Sequence, residues 1–122
     1  KDPSIKWKIV VGHHPMYTGG SRTDGYDTKA IRSSLKPMLD RYGVDVYLTG
    51  HEHSLQYLKP EGKTHHFISG AASEKTPVKL IPDAQMVASE YGFMLFSVIN
   101  NQFRVQVLND EGYIIYNTLI KK

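Results

Sequence analysis

Two β-branched runs, each stopped by a glycine and followed by histidine, with one helix-length segment between them, restrict this chain more than any other feature. Ile5-Lys6-Trp7-Lys8-Ile9-Val10-Val11 reads as a strand that stops at Gly12. Val44-Asp45-Val46-Tyr47-Leu48 reads as a short buried strand ended by Thr49-Gly50. From His13 to Asp27 the chain is rich in Gly, Ser, Thr and Pro, as a functional loop would be. A helix should follow, with Asp27 or Thr28 as N-cap and Ile31, Leu35, Met38, Leu39 and Tyr42 on one face. Pro37 falls inside that pattern and should kink it, and Gly43 supplies a left-handed stop. Strand, loop, helix and strand at this spacing make a βαβ unit with two parallel strands.

The rest of the chain reads as antiparallel structure. Ser54 to Leu58 and His65 to Ser69 predict a hairpin across Lys59-Pro60-Glu61-Gly62-Lys63. Residues 71–90 predict a long irregular loop, with Pro77 and Pro82 as breakers. Tyr91 to Ile99 is apolar on both faces, as a strand in the middle of a layered domain would be. Asn100-Asn101 and the run from Asn109 to Gly112 are hairpin turns that join it to Phe103–Leu108 and Tyr113–Ile120. The class expected is α/β, a βαβ unit followed by antiparallel hairpins. A strand that starts almost at once, at Ile5, suggests that residues 1–122 are a single partial domain.

Composition narrows the chemistry. Cysteine is absent, so a metal would need His, carboxylate or Tyr ligands. Lys and Arg outnumber Asp and Glu by 15 to 12, without a basic run interleaved with aromatics, which argues against nucleic acid as a partner. No apolar stretch approaches the length of a membrane span.

Gly12-His13-His14-Pro15 and Gly50-His51-Glu52-His53 follow directly on the two parallel strands. The carboxyl ends of such strands are where ligands sit in α/β sheets. Neighbouring strand ends would bring four of the six histidines to one crevice. In an extended segment His51 and His53 would leave by one face with roots about 6.5–7 Å apart. Such a pair can chelate one ion, or give one nitrogen to each of two ions roughly 3.5–4 Å apart. Glu52 between them should point away, either supporting a ligand from behind or lying at the surface. His65 and His66 are adjacent on a strand, so at most one can face the crevice. Both read better as structural or surface histidines, and Asp45 as a strand-end charge.

At these residues the chain resembles the calcineurin-like metallophosphoesterases, and within them the purple (tartrate-resistant) acid phosphatases. The resemblance is carried by Val11-Gly12-His13-His14-Pro15, by Leu35-Lys36-Pro37-Met38-Leu39 through Tyr42-Gly43-Val44, and by Tyr47-Leu48-Thr49-Gly50-His51-Glu52-His53-Ser54-Leu55-Gln56-Tyr57-Leu58. Ile68-Ser69-Gly70-Ala71 also matches the strand that follows the histidine pair.

The resemblance implies the C-terminal half of a layered α/β/β/α metallophosphoesterase sandwich. It implies a metal-dependent phosphoric ester hydrolase of the monoester class, with two metal ions, iron together with zinc, iron or manganese. His13 and His51 would bind the divalent ion, His53 the ferric ion, and His14 would act near the substrate. The carboxylate ligands would belong to the N-terminal half of the same domain, so the partners implied are that half and a phosphate ester. A periplasmic or secreted location is implied in the same way. Where that branch carries a further loop histidine, this chain has Gly19-Gly20-Ser21-Arg22-Thr23, and Arg22 is the candidate to orient a phosphate. Two other functions stay open: a phosphodiesterase or nucleotidase on the same scaffold, or a non-catalytic domain whose histidines hold a structural metal. The chain by itself is expected to be inactive and to expose apolar surface that favours self-association.

Overall fold

The parallel pair expected on either side of the helix forms, and it sits at one side of a mixed sheet. The structure, a computed structural model, describes residues 2–122. Its elements run β1 (Ile9–Val11), α1 (Tyr26–Arg41), β2 (Val46–Thr49), β3 (Leu55–Leu58), β4 (His65–Ser69), β5 (Ala84–Ala88), β6 (Gly92–Ile99), β7 (Gln102–Asn109) and β8 (Ile114–Lys121). One sheet has the order β1-β2-β4-β3-β5, and the other is the meander β6-β7-β8. β1, β2 and β4 are parallel, with Ile9 opposite Val46 and Val46 opposite His65. β3 runs antiparallel between β4 and β5.

Alternation along β2 places the two cores. Val46 faces the second sheet and packs with Leu55, Tyr57, Phe67, Phe103, Val105 and Val107. Its neighbour Tyr47 points the other way, onto Leu39 of α1, Val44 and Met16. Three layers result: helix, mixed sheet, antiparallel sheet. The class is the α/β one expected from the sequence, a βαβ unit followed by antiparallel hairpins, with three of the four layers of an α/β/β/α sandwich formed by the described residues. No helix among the described residues is long and apolar enough to cross a membrane.

The helix ends as its residues dictate. Gly43 takes φ 62, the Val44 N–H reaches the Leu39 carbonyl at 3.0 Å and the Gly43 N–H that of Asp40 at 3.3 Å. This is the Schellman pattern, sealed by the apolar contact of Val44 with Leu39. The helix start departs from expectation. Gly25, not Asp27 or Thr28, is the N-cap, and Thr28 lies buried in the first turn with its hydroxyl on the Arg22 carbonyl at 2.8 Å. The loop backbone thus ties down a hydroxyl that sequence alone assigned to capping. The helix continues through Pro37 to Arg41. Met38 and Tyr42, expected on the buried face, are more than half exposed, because Ile31, Leu35 and Leu39 complete the contact with the sheet.

Three strands also differ from the sequence reading. β1 begins at Ile9, not Ile5, because Trp7 leaves the sheet to pack at a tilt against Phe103 and donate to the Asn100 carbonyl at 2.7 Å. β5 lies inside the segment read as irregular, where Tyr57 of β3 stands opposite Met86. A short strand without strong alternation of its own forms when a neighbour supplies the ladder. Among the described residues β6 pairs only with β7, and its two faces are not both covered as expected. Met94 and Phe96 face the core, while Phe93, Leu95 and Ile99 are exposed. Both hairpins fall where expected, with Asn100 at φ 51 and Gly112 at φ 85.

Candidate metal centre

The two glycine-histidine turns meet at the carboxyl ends of β1 and β2. The Gly12 N–H continues the parallel ladder to the Leu48 carbonyl at 2.9 Å, and the Gly50 N–H reaches the His13 carbonyl at 3.3 Å. Backbone joined this way holds the side chains close. His13 Nε2 lies 3.0 Å from His51 Nδ1, and the ring of His14 centres 5.0 Å from that of His13 and 4.6 Å from that of His51. One nitrogen from each of the three rings falls within 4.8 Å of the others.

His51 achieves this with an unusual backbone. Its φ is 67, a left-handed conformation that costs an L-residue roughly 1–2 kcal/mol. The Glu52 N–H then bonds to the Gly50 carbonyl at 2.8 Å, and the Ser54 N–H to the Glu52 carbonyl at 2.9 Å. Two such i→i+2 turns fold residues 51–54 tightly, so the extended geometry expected for His51 and His53 does not occur. The two rings accordingly separate. His53 lies outside the group of three, its Nδ1 3.2 Å from a carboxylate oxygen of Glu74. The Thr76 N–H holds the His53 carbonyl at 2.8 Å.

Burial holds the His51 imidazole below the usual histidine range, and Arg22, His14 and His13 push it the same way against the opposing charge of Glu52. His51 Nε2 is buried with no hydrogen-bond partner. A neutral imidazole with an unmet nitrogen beside two more histidine nitrogens is the donor chemistry of a zinc- or iron-type cation. The residues present therefore fit a metal. Asp27, in the first turn of α1, is the nearby acid, 3.7 Å from His14 Nε2.

Sequence reasoning missed what anchors the loop over this site. Glu52 is buried, and it accepts the Thr18 hydroxyl at 2.6 Å. Gln56, also buried, accepts the Gly19 N–H at 2.8 Å and donates to Thr18 Oγ1 and Ser54 Oγ at 3.0 and 2.8 Å. These contacts fasten residues 18–20 onto the His51 turn. A single amide between Leu55 and Tyr57 in an otherwise apolar strand was the signal that could have revealed it. Arg22 is half exposed, its Nε 3.9 Å from Glu52 Oε1, on the rim of this arrangement.

The remaining histidines lie elsewhere. His65 Nδ1 takes part in a 2.7 Å hydrogen bond with the Tyr57 hydroxyl, and His66 is buried with Nε2 3.3 Å from Thr49 Oγ1. Asp45 is buried at the opposite end of β2, accepting the Lys8 N–H at 2.8 Å beside Lys63 and Lys122.

Residues 1–55 match the family model of the calcineurin-like phosphoesterases. Over 75 residues the chain is 40% identical to purple acid phosphatase 17 of Arabidopsis thaliana, covering 62% of this chain and 21% of that protein. It is 27% identical over 131 residues to tartrate-resistant acid phosphatase type 5 of Oryctolagus cuniculus, covering 99% of this chain and 39% of that one. The chain thus spans well under half the length of these relatives. Among solved structures, the purple acid phosphatase PPD1 from yellow lupin seeds matches with a TM-score of 0.80 at 15% identity, over 94% of this chain and 25% of that chain. GAP50, described as the anchor in the inner membrane complex of Plasmodium, matches with a TM-score of 0.86 at 22% identity, over 95% of this chain and 36% of that chain. At those identities the likeness is one of fold.

Proposed function

We infer, for a chain that resembles the calcineurin-like metallophosphoesterases and their purple acid phosphatase branch, that the protein is a metal-dependent phosphoric monoester hydrolase. This chain would supply the histidine side of its metal site. The observation that carries the reading is the convergence of His13, His14 and His51 within 4.8 Å, at the carboxyl ends of parallel strands. The relatives' names supply the reaction class.

His13 and His51 would hold a metal between them, and His53, facing Glu74, would serve a second one. A metal bound here supplies charge that polarises phosphoryl oxygens and makes hydroxide available at neutral pH. The chain's own part is binding and orientation. Neutral imidazoles bind cations without adding negative charge against an anionic substrate. His14, beside Asp27, would act near the substrate, at a phosphoryl or leaving-group oxygen. Arg22 would meet the phosphate through its guanidinium, which is half exposed and only loosely held by Glu52. Three imidazoles cannot balance two multivalent cations, so carboxylate ligands would come from the rest of the protein.

The test compares the complete protein with this 122-residue chain in metal content and in hydrolysis of a chromogenic phosphate monoester. Two metals and turnover in the complete protein, with neither in the isolated chain, are expected. Hydrolysis restricted to diesters would favour the phosphodiesterase reading. Metal retained with neither ester hydrolysed would favour a non-catalytic role, in line with the description of GAP50 as an anchor. An isolated chain that bound two ions and turned over substrate would overturn the half-site reading.

A further inference from the structure

A buried pair of rings touches both histidine-bearing turns. Tyr47, on the helix side of β2, is 2% exposed, and its hydroxyl donates to the His14 carbonyl at 2.7 Å. The hydroxyl gets there by passing over Gly12. A Cβ at position 12 would stand 2.7 Å from Tyr47 Oη and 3.2 Å from Cε1, so glycine is needed there for space. The phenol ring stacks on His66 of β4, its partner in the parallel register, with centroids 5.1 Å apart and planes 25° from parallel. His66 in turn places Nε2 3.3 Å from the hydroxyl of Thr49, the residue before Gly50 and His51.

The chemistry of this stack is costly for a core. Burial pushes the His66 imidazole down to about 3, so the ring is neutral, and its Nδ1 has no partner. With the proton on Nε2, donated to Thr49, the unmet Nδ1 is a bare lone pair, a smaller penalty than a stranded N–H. An apolar ring at either position would fill the same space without that penalty. The polar atoms that justify it reach one turn through the His14 carbonyl and the other through Thr49.

We propose that Tyr47 and His66 are positioning residues, a two-ring brace that sets the His13-His14 turn in register with the His51 turn. What the cluster is used for rests on the proposed function; the bracing itself does not. Tyr47→Phe keeps the stack and deletes only the tether on His14, while His66→Phe keeps the stack and deletes the tether on Thr49.

The experiment is NMR on the complete protein, following ring signals of His13, His14 and His51 and backbone order at residues 13, 14, 16, 50 and 51. Tyr47→Phe should shift the His14 ring signals and lower order at 13, 14 and 16, with β2 and β4 unchanged. His66→Phe should do the same at 50 and 51. In the complete protein Tyr47→Phe should lower kcat about tenfold, the factor expected from one lost buried hydrogen bond, with KM little changed. Tyr47→Phe should also partly rescue Gly12→Ala, because the atom nearest the new methyl is gone. A folded Tyr47→Phe chain whose turn signals match wild type would overturn the proposal, whether or not the complete protein proves to be an esterase. If His66→Phe fails to fold, Tyr47→Phe decides alone.

Discussion

His13 Nε2 stands 3.0 Å from His51 Nδ1, although 38 residues separate them in sequence. Parallel pairing of β1 with β2 brings the two strand ends together, and the left-handed φ of His51 turns its ring back toward His13. A residue that accepts backbone strain to present a nitrogen is a candidate for function over packing.

His51→Gly separates those two roles. Glycine adopts φ 67 without penalty, so the variant should melt within a few degrees of wild type, strain relief of about 1 kcal/mol offsetting the lost ring contacts. Metal content of the complete protein should nonetheless fall sharply. His65→Ala should do the opposite, costing about 1 kcal/mol with the loss of its bond to Tyr57 and leaving metal content intact. Thermal unfolding and metal analysis of both variants check this. Equal metal loss in the two would mean that the histidines are ranked wrongly.

Gly20→Ala should destabilise the chain by about 1–3 kcal/mol. A Cβ there would stand 1.8 Å from Glu52 Oε2, and that carboxylate is buried on Thr18 with little room to retreat. Denaturant unfolding reads the loss. A Gly20→Ala variant with wild-type stability would show that the loop is not fastened through Glu52.

Acid should weaken the fold before most carboxylates titrate. Burial lowers His66 to about 3, and burial together with Lys59 lowers His65 to about 4, against roughly 6.5 when unfolded. Between those values the unfolded chain binds more protons than the folded one, so stability falls as pH falls. The fully buried His66 contributes a slope of up to about 1.4 kcal/mol per pH unit, starting near pH 6.5 and ending near pH 3, and the partly exposed His65 contributes less because solvent screens it. Unfolding measured from pH 7 to 4 should show it, and His66→Phe should flatten the curve. A wild-type curve level across that range would refute buried neutral histidines.

The outer face of β6 should drive association of the isolated chain. Phe93, Leu95 and Ile99 are about half exposed or more, on an edge strand with an unpaired ladder. Sedimentation should report oligomers at micromolar concentration, and Leu95→Lys should shift the chain toward monomer without changing its melting. Monomeric wild-type chain would show that this face is tolerated in water.

The local signals were legible in sequence because they are local. Strand, helix and strand follow from hydrophobic periodicity, and the helix stop from Gly43. The hairpins follow from Asn100, Asn109 and Gly112, and the chemistry from histidines placed directly after strand ends. What sequence could not settle depends on partners remote in the chain. β5 exists because β3 offers it a ladder, and among the described residues β6 is an edge because only β7 pairs with it. His53 parts from His51 because two tight turns replace an extended segment, a choice made by the backbone bonds of Gly50, Glu52 and Ser54. Glu52, Gln56, Tyr47 and His66 support the site from inside the core. Burial alone gives such groups their roles, since a hydroxyl, an amide or an imidazole removed from water must find its partner in whatever the fold has brought alongside.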